Sequence, residues 1–150
     1  MYHCIRTNST NQDFQALVSL LDEDLAIRDG EEHSFYQQFN GIVNLVHVVV
    51  CYVNNEPAGC GAFKPYDTAL AEIKRMFVLP GLRGKGIASA VLQELEKWAD
   101  ETGFTGYILE TGKKQPEAIA LYKKNGYAVI PNYGQYTGVE NSVCMKKTKY

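Results

Sequence analysis

Apolar residues recur at helical spacing in three parts of the chain, and each part predicts an amphipathic helix. The first helix presents a face of five apolar residues: Phe14, Leu17, Val18, Leu21 and Leu25. Ser9 or Thr10 precedes this face and is expected to cap the helix, because a hydroxyl oxygen accepts a hydrogen bond from a free amide of the first turn. Residues 28–30, Arg-Asp-Gly, interrupt the pattern. A second short helix is expected to follow through three aromatic residues: Phe35, Tyr36 and Phe39.

The other two helices lie in the second half of the chain. One begins at Ile87 and continues through an apolar face: Val91, Leu92, Leu95 and Trp98. The other begins at Pro116, a residue that the first turn of a helix accepts. Its shared face is formed by three residues: Ala118, Leu121 and Tyr122. Asn125-Gly126 is expected to end it, since both residues tolerate left-handed backbone geometry.

Segments of strand character separate the helices: 2–6, 48–53, 58–63, 68–78, 106–110, 127–131 and 142–148. Residues 54–57, Asn-Asn-Glu-Pro, form a turn that joins two of these segments in a hairpin. Strands and helices alternate in the second half, whereas the first half contains a helix pair and an antiparallel meander. This order predicts a mixed α/β sheet in three layers, with helices on both faces. A chain of 150 residues is expected to form one domain, 1–150.

The composition is that of an ordinary globular protein and excludes several functions. Apolar residues make up 45% of the chain, charged residues 21%, and the net charge is −2, so no global positive field favours nucleic acid. The most apolar run, 48–53, is only as long as a strand and cannot span a bilayer. The first residues lack the layout of a signal peptide. We therefore expect a cytoplasmic protein without a nucleic-acid or membrane partner.

Four cysteines are scattered through the strand-like segments: Cys4, Cys51, Cys60 and Cys144. None belongs to a C-x-x-C pair, and none has a histidine nearby at metal-ligand spacing. A free thiol in such a segment packs as a small apolar side chain. We interpret the cysteines as reduced core residues, and we expect neither a metal site nor a catalytic cysteine.

A glycine-rich turn at residues 83–89, Arg-Gly-Lys-Gly-Ile-Ala-Ser, joins the strand-like run 72–78 to the helix that begins at Ile87. The first amides of a helix have no partner within it, and they lie at the positive end of the helix dipole. Glycines let a phosphate approach these amides closely, and Arg83 and Lys85 add positive charge. The turn is therefore predicted to bind the diphosphate of a nucleotide-bearing cofactor. Without further support, the alternative is a helix start that happens to be rich in glycine.

Two common nucleotide motifs are absent from this turn. The P-loop pattern G-x-x-x-x-G-K-[ST] is missing, and G-x-G-x-x-G is incomplete because Ser89 occupies the third glycine position. The pattern that fits is R-x-x-G-x-A, formed by Arg83, Gly86 and Ala88. It resembles the acetyl-CoA pyrophosphate loop of GNAT-type acetyltransferases. Residues 110–127 resemble the GNAT segment that completes the CoA site, and the two segments stand in the family's order.

The resemblance covers residues 71–133 approximately and implies a GNAT acyl-CoA N-acyltransferase fold, with a central mixed β-sheet flanked by helices on both faces. In that fold the strand before the phosphate loop separates from the next parallel strand, and the pantetheine arm of acetyl-CoA enters the gap. The residues that the resemblance assigns to the cofactor are Met76, Phe77, Val78, Arg83, Gly84, Lys85, Gly86, Ile87, Ala88, Ser89, Gln115, Ala118 and Tyr122. Many family members have asparagine at the position of Gln115, and glutamine offers the same donor and acceptor on a longer stem.

The resemblance also implies direct acetyl transfer to an amine in a ternary complex. Tyr122 is the candidate proton donor to the departing thiolate, because a phenol of pKa about 10 is protonated at neutral pH. Its alternative role is that of a core aromatic. Glu72 is the candidate base. The alternative is that Glu72 is a glutamate without a catalytic role, exposed to water on the strand. Glu110 is the second candidate for either role. Backbone amides near Phe77 and Val78 are the expected oxyanion donors.

Regular alternation along the strand would place consecutive side chains on opposite faces of the sheet. On that assumption one face carries Glu72, Lys74 and Met76. The other face then carries Ile73, Arg75 and Phe77.

The acceptor pocket of this fold is built by the first helix pair and the loop between the last strands. Those segments contain Asp22, Glu23, Asp24, Arg28, His33, Tyr36, Tyr133, Gly134, Gln135 and Tyr136. The acidic cluster 22–24 would suit a cationic amine, although such runs are usually solvated helix ends. Arg28 or Arg75 would instead bind a carboxylate. We expect a small amine acceptor, amino-acid-like or polyamine-like, and a homodimer is common in such proteins. A protein lysine or N-terminus as acceptor, and a non-catalytic acyl-CoA sensor, are the alternatives.

Overall fold

The computed structural model describes residues 2–30 and 45–149. Its strands are β1 (Tyr2–Thr7), β2 (His47–Val53), β3 (Glu56–Pro65), β4 (Leu70–Val78), β5 (Gly106–Gly112), β6 (Ala128–Ile130) and β7 (Ser142–Thr148). Its helices are α1 (Gln12–Asp29), α2 (Ile87–Glu101) and α3 (Pro116–Lys124). The predicted order of strands and helices is confirmed over these residues. The second short helix expected through Phe35, Tyr36 and Phe39 lies outside them.

The strands form one seven-stranded sheet in the order β1-β2-β3-β4-β5-β7-β6. Neighbouring strands are antiparallel except for β4 and β5, which are parallel, so the sheet is mixed as predicted. The hairpin between β2 and β3 turns at Asn54 and Asn55, both in the left-handed region with φ of 51° and 67°. Asparagine tolerates this geometry better than most residues, which explains why this turn was recognisable.

The N-cap of α1 lies one residue after Thr10 and two after Ser9, the two predicted caps. Asn11 is the N-cap, and its Oδ1 accepts a hydrogen bond of 2.9 Å from the Phe14 amide. The prediction of Ser9 or Thr10 was wrong because Thr10 belongs to the preceding turn, where its hydroxyl donates to Asn8 Oδ1 at 2.6 Å. The helix ends as predicted at Asp29, and Gly30 follows with a φ of 58°.

Two apolar clusters cover the two faces of the sheet. The predicted face of α1 packs on one side against alternate strand residues: Val48, Val50, Cys60, Ala62 and Phe77. Helices α2 and α3 pack on the other side against a second set: Val49, Cys51, Ile73, Leu109 and Met145. The alternation through 48–51 follows from the two-residue period of a strand that is buried on both faces. The three-layer arrangement is thereby confirmed.

The parallel pair β4–β5 separates after a short contact. Leu70 pairs with Gly106, Ala71 with Tyr107, and Glu72 with Ile108. Strand β4 then continues to Val78 paired only with β3, while β5 continues to Gly112 paired with β7. A gap therefore opens in the sheet between the carboxyl ends of β4 and β5, as the resemblance implied.

A β-bulge in β4 changes which side chains share a face. Arg75 has a φ of 58°, and the register with β3 shifts between Cys60 and Ala62. Arg75 pairs with Asp22 of α1, and Phe77 belongs to the cluster beneath α1. These two residues therefore share the face of Glu72 and Lys74, whereas Met76 packs with Ile73 beneath α2. The alternation expected beyond Lys74 was wrong, because the bulge inserts one extra residue into the strand.

The cysteines have no disulfide among the described residues, and three of the four are buried. Burial raises the pKa of the Cys60 thiol to about 12, so this thiol is protonated and unreactive at neutral pH. In the described part of the chain, no helix has the length and apolar character needed to cross a bilayer. Those residues also contain no group of three or more His, Cys, Asp or Glu side chains placed to hold a metal ion.

Glycine at position 61 allows β3 to approach both β4 and α2. A Cβ there would collide with Met76 Sδ and lie 2.9 Å from Leu95 Cδ1 and 3.0 Å from Val91 Cγ1. We expect Gly61→Ala to lower the free energy of unfolding in urea by about 1–3 kcal/mol, the usual cost of overpacking.

The matched control for this variant is Gly81→Ala, because a Cβ at position 81 meets nothing within 4 Å. We expect it to leave the unfolding free energy unchanged or to raise it by up to about 1 kcal/mol, since alanine restricts the unfolded chain. Equal losses in the two variants would contradict close packing at Gly61.

Candidate active site

The glycine-rich turn leads directly into α2 and leaves backbone amides open. Gly84 and Gly86 adopt left-handed conformations, with φ of 78° and 84°, and Gly86 is the N-cap of α2. The first helical hydrogen bond runs from the Ala90 amide to the Gly86 carbonyl at 3.0 Å. The amides of residues 87–89 precede this bond and have no backbone partner among the described residues. They are available to an anion at the positive end of the helix.

Arg83 holds this turn against the end of β4. Its Nε donates to the Val78 carbonyl at 2.9 Å, and its guanidinium carbon lies 5.6 Å from the centre of the Phe77 ring. The cation is thus fixed beside the turn by the last residues of β4. Lys85 is exposed on the turn itself.

A groove of about 990 Å³ runs from this turn between β4 and α3. Of the residues predicted to bind cofactor, all except Lys85 line it. Met76, Phe77 and Val78 come from β4, while Gln115, Ala118 and Tyr122 come from α3 and the residue before it. Six further residues line the groove without having been predicted to bind cofactor: Leu21, Asp24, Leu82, Glu117, Leu121 and Lys124. Leu121 shares the predicted helix face of Tyr122, but nothing local in the sequence shows that Leu21 and Asp24 of α1 reach this groove.

Tyr122 lies at the inner end of the groove. Only 6% of its surface is exposed, and its ring packs edge-on against Tyr127 with ring centres 5.8 Å apart. Burial raises the pKa of its phenol, and the negative charge of Glu110 raises this pKa further. The hydroxyl is therefore protonated at neutral pH and able to donate a proton.

A second cavity of about 720 Å³ lies on the other side of the gap between β4 and β5. It contains both candidate carboxylates, Glu72 and Glu110. Glu72 is 5% exposed, and its Oε2 accepts a hydrogen bond of 2.6 Å from the Tyr133 hydroxyl. The alternative interpretation of Glu72 as an exposed strand residue was therefore wrong, because Tyr133 and the loop before β7 cover it.

The two cavities meet at the gap in the sheet. Five residues line both of them: Leu21, Met76, Gln115, Ala118 and Tyr122. A molecule in the groove and a molecule in the second cavity would therefore meet beside the Tyr122 side chain.

Only some of the residues expected around the acceptor line the second cavity. Tyr136 lines the second cavity, and Tyr133 contacts Glu72. Asp22 pairs with Arg75, while Arg28 pairs with Asp24 at 3.1 Å and with Glu117, outside the lining of the second cavity. His33 and Tyr36 lie outside the described residues. Lys74 and Thr111 line the cavity without having been assigned to it from the sequence.

A model described as the Acetyltransferase (GNAT) family matches residues 14–127. The chain belongs to the GNAT acetyltransferase family. An IAA acetyltransferase of Azospirillum brasilense is 41% identical over 91 residues, which are 59% of this GNAT protein and 59% of that relative. The alignments with three curated relatives span between 56% and 63% of those proteins' own length.

Solved structures support the GNAT fold over the whole chain. The structure of a Klebsiella pneumoniae protein assigned as an acyl-CoA N-acyltransferase has a TM-score of 0.83 at 28% identity, covering 100% of this chain and 99% of that one. A GNAT acetyltransferase of Elizabethkingia anophelis, crystallised with acetyl-CoA, has a TM-score of 0.68 at 17% identity, covering 98% and 97%. The second likeness concerns the fold alone.

The groove of this GNAT protein fits the cofactor of the family, acetyl-CoA. A Cβ built on Gly84 or Gly86 meets nothing within 4 Å, so no other described residue fills the space beside these glycines, and a diphosphate has room there. The gap that follows, lined by Met76 and Val78, has unpaired strand backbone beside it that suits the amide groups of a pantetheine arm.

Replacing Gly86 by alanine tests whether the glycine-rich turn binds the diphosphate. Alanine is strained at a φ of 84°, so the turn that presents the open amides would have to change its backbone conformation. We expect Gly86→Ala to weaken CoA binding, measured by isothermal titration calorimetry, by about tenfold or more, the effect of losing one hydrogen bond to a charged group.

Gly103→Ala is the control for backbone strain. Gly103 has a φ of 102°, and a Cβ at this position would meet nothing within 4 Å. The residue lies beyond the carboxyl end of α2, away from the glycine-rich turn. We expect it to lower stability while leaving the CoA dissociation constant unchanged. Unaltered CoA binding by Gly86→Ala would exclude this turn as the diphosphate site.

Proposed function

We propose that this protein transfers the acetyl group of acetyl-CoA to a primary amine of a small metabolite, amino-acid-like or polyamine-like, by direct transfer in a ternary complex. The observation that carries this function is the meeting of the two cavities at Tyr122. One cavity has the open amides and glycines that suit a diphosphate, and the other has two carboxylates, the buried Glu72 and the half-buried Glu110, that suit an amine.

Bound acetyl-CoA supplies an activated thioester, and the chain's own residues supply proton transfer and positioning. The open amides at residues 87–89, with Arg83 beside them, hold the diphosphate. Met76, Phe77 and Val78 line one wall of the groove, and Gln115 and Ala118 line the other. Backbone amides near Phe77 and Val78 stabilise negative charge on the thioester oxygen.

Glu72 and Tyr122 complete the proton balance of the transfer. Glu72 takes the proton that the attacking amine loses, directly or through a water. Once the amine nitrogen has bonded to the acetyl carbon, Tyr122 would give a proton to the CoA sulfur as the carbon–sulfur bond breaks. The Tyr122 phenol is protonated at neutral pH, as a proton donor must be before the reaction. Glu110 lines the same cavity and is the second candidate for the base.

The lining of the second cavity favours a small acceptor over a protein. Residues of α1, β4, β5 and the loop before β7 contribute to one lining around Glu72. A non-catalytic sensor would need the groove but neither Glu72 nor Tyr122. An acetylation screen of free amino acids, polyamines and peptides, with release of the CoA thiol as the signal, separates these functions. Thiol release with small amines supports the proposal, and release with peptides alone contradicts it.

Removing the phenolic hydroxyl tests the role of Tyr122. We expect Tyr122→Phe to lower kcat by about 10²-fold, the lower range for loss of a general acid, with CoA affinity unchanged. Tyr127→Phe is the control, because Tyr127 packs against Tyr122 but lines neither cavity, and its hydroxyl donates to Glu96 at 2.8 Å. It should lose stability and retain kcat. An unchanged kcat in Tyr122→Phe would leave Tyr122 as a packing residue.

Two matched substitutions decide between the carboxylates. Glu72→Gln keeps the shape of the side chain and an oxygen for Tyr133, but it removes the base. We expect it to lower kcat/KM for the amine by about 10²-fold without changing the KM of acetyl-CoA. Glu110→Gln should have a smaller effect. The reverse order of the two losses would assign the base to Glu110.

A further inference from the structure

The bulge in β4 brings two consecutive cations to one cavity. In a regular strand Lys74 and Arg75 would lie on opposite faces, and Arg75 would enter the apolar layer beneath α2. With the bulge, both residues line the second cavity together. Arg75 has a φ of 58°, a conformation that is uncommon outside glycine and that concentrates at functional sites.

Arg75 retains hydrogen-bonding capacity at this position. It is 6% exposed, and its Nη2 pairs with Asp22 of α1. Its Nε is buried and has no hydrogen-bond partner among residues 2–30 and 45–149. A guanidinium carries five N–H donors in a planar fork that matches a carboxylate, and a buried donor without a partner is costly. The side chain is therefore suited to receive an anion.

Lys74 provides a second buried cation beside it. Only 9% of its surface is exposed, and burial lowers the pKa of its ammonium group. The negative charges of Glu72 and Glu110 oppose this shift. A cation taken out of water is stabilised by an anion that enters the same site.

The cavity thus contains charges of both signs. Glu72 and Glu110 supply two carboxylates on neighbouring strands, and Lys74 and Arg75 supply two cations. Leu21 and Leu25 of α1 provide an apolar wall. An acceptor with two amines would meet the cations unfavourably, whereas a molecule with one amine and one carboxylate matches both halves of the lining.

We propose that the acceptor is a zwitterionic amino acid, whose amine lies between Glu72 and Tyr122 and whose carboxylate is bound by Lys74 and Arg75. This inference rests on the proposed function and selects the amino-acid-like acceptor over the polyamine-like one. Asp22 positions the guanidinium of Arg75 from α1.

Pairs of acceptors that differ only in the carboxylate test this inference. L-phenylalanine is compared with 2-phenylethylamine, L-methionine with 3-(methylthio)propylamine, and L-ornithine with putrescine, at saturating acetyl-CoA. We expect at least one amino acid to be acetylated with a kcat/KM about tenfold or more above that of its amine, the effect of a hydrogen-bonded charge pair. A kcat/KM that is equal or higher for the amine in every pair would overturn the inference while leaving the proposed function intact.

Lys74→Met then tests the assigned residue, since methionine fills a buried site of similar length without charge. We expect the KM of the preferred amino acid to rise about tenfold while its kcat changes little and the KM of the matched amine stays the same. Lys97→Met is the control, because Lys97 is exposed on α2 and lines neither cavity, and we expect it to leave both KM values unchanged. Equal effects of Lys74→Met on amino acid and amine would overturn carboxylate binding by this pair. Thiol release from peptides alone would contradict both this inference and the proposed function.

Discussion

The site of this protein depends on the early separation of β4 from β5. The two strands pair only from Leu70 to Glu72 on one side and from Gly106 to Ile108 on the other. Beyond that point each strand keeps its other neighbour, so the sheet remains continuous at both edges of the gap. Backbone groups at such a gap need partners, and a bound ligand can supply them. Tyr122 of α3 lines both the groove and the second cavity because this gap connects the two faces of the sheet.

The bulge at Arg75 is the second constraint. A non-glycine residue in the left-handed region costs about 1–3 kcal/mol unless its surroundings compensate. Here the pair with Asp22 and the contact of Cys60 Sγ with the Arg75 carbonyl at 3.5 Å hold the residue in place. As a consequence, neighbouring residues of β4 lie on different faces of the sheet. Met76 lies toward the cofactor-side helices, whereas Lys74 and Arg75 lie toward α1.

The two cavities differ in their electrostatics, and this difference fits two ligands of different chemistry. The groove offers open amides at a helix start, which suit an anion without burying any charge of the protein. The second cavity instead buries Glu72, Lys74 and Arg75, each 9% exposed or less. Buried charges seldom improve stability over apolar packing. Their concentration in one cavity is therefore better explained by recognition and proton transfer than by folding.

The sequence by itself determined the strands and helices of the described residues and the glycine-rich turn before α2, because both depend on local chemistry. Apolar spacing, the Asn-Asn turn and the glycines at 84 and 86 act over a few residues, and the R-x-x-G-x-A pattern lies on one continuous segment. The cap at Asn11 was not predicted, since it depends on the neighbouring turn that contains Thr10. The face of Arg75 was not predicted either, since it depends on a register shift against β3. Only the tertiary structure decided which charges share the second cavity. Residues 74 and 110 are distant in the chain, and they meet because β4 and β5 are neighbours in the sheet.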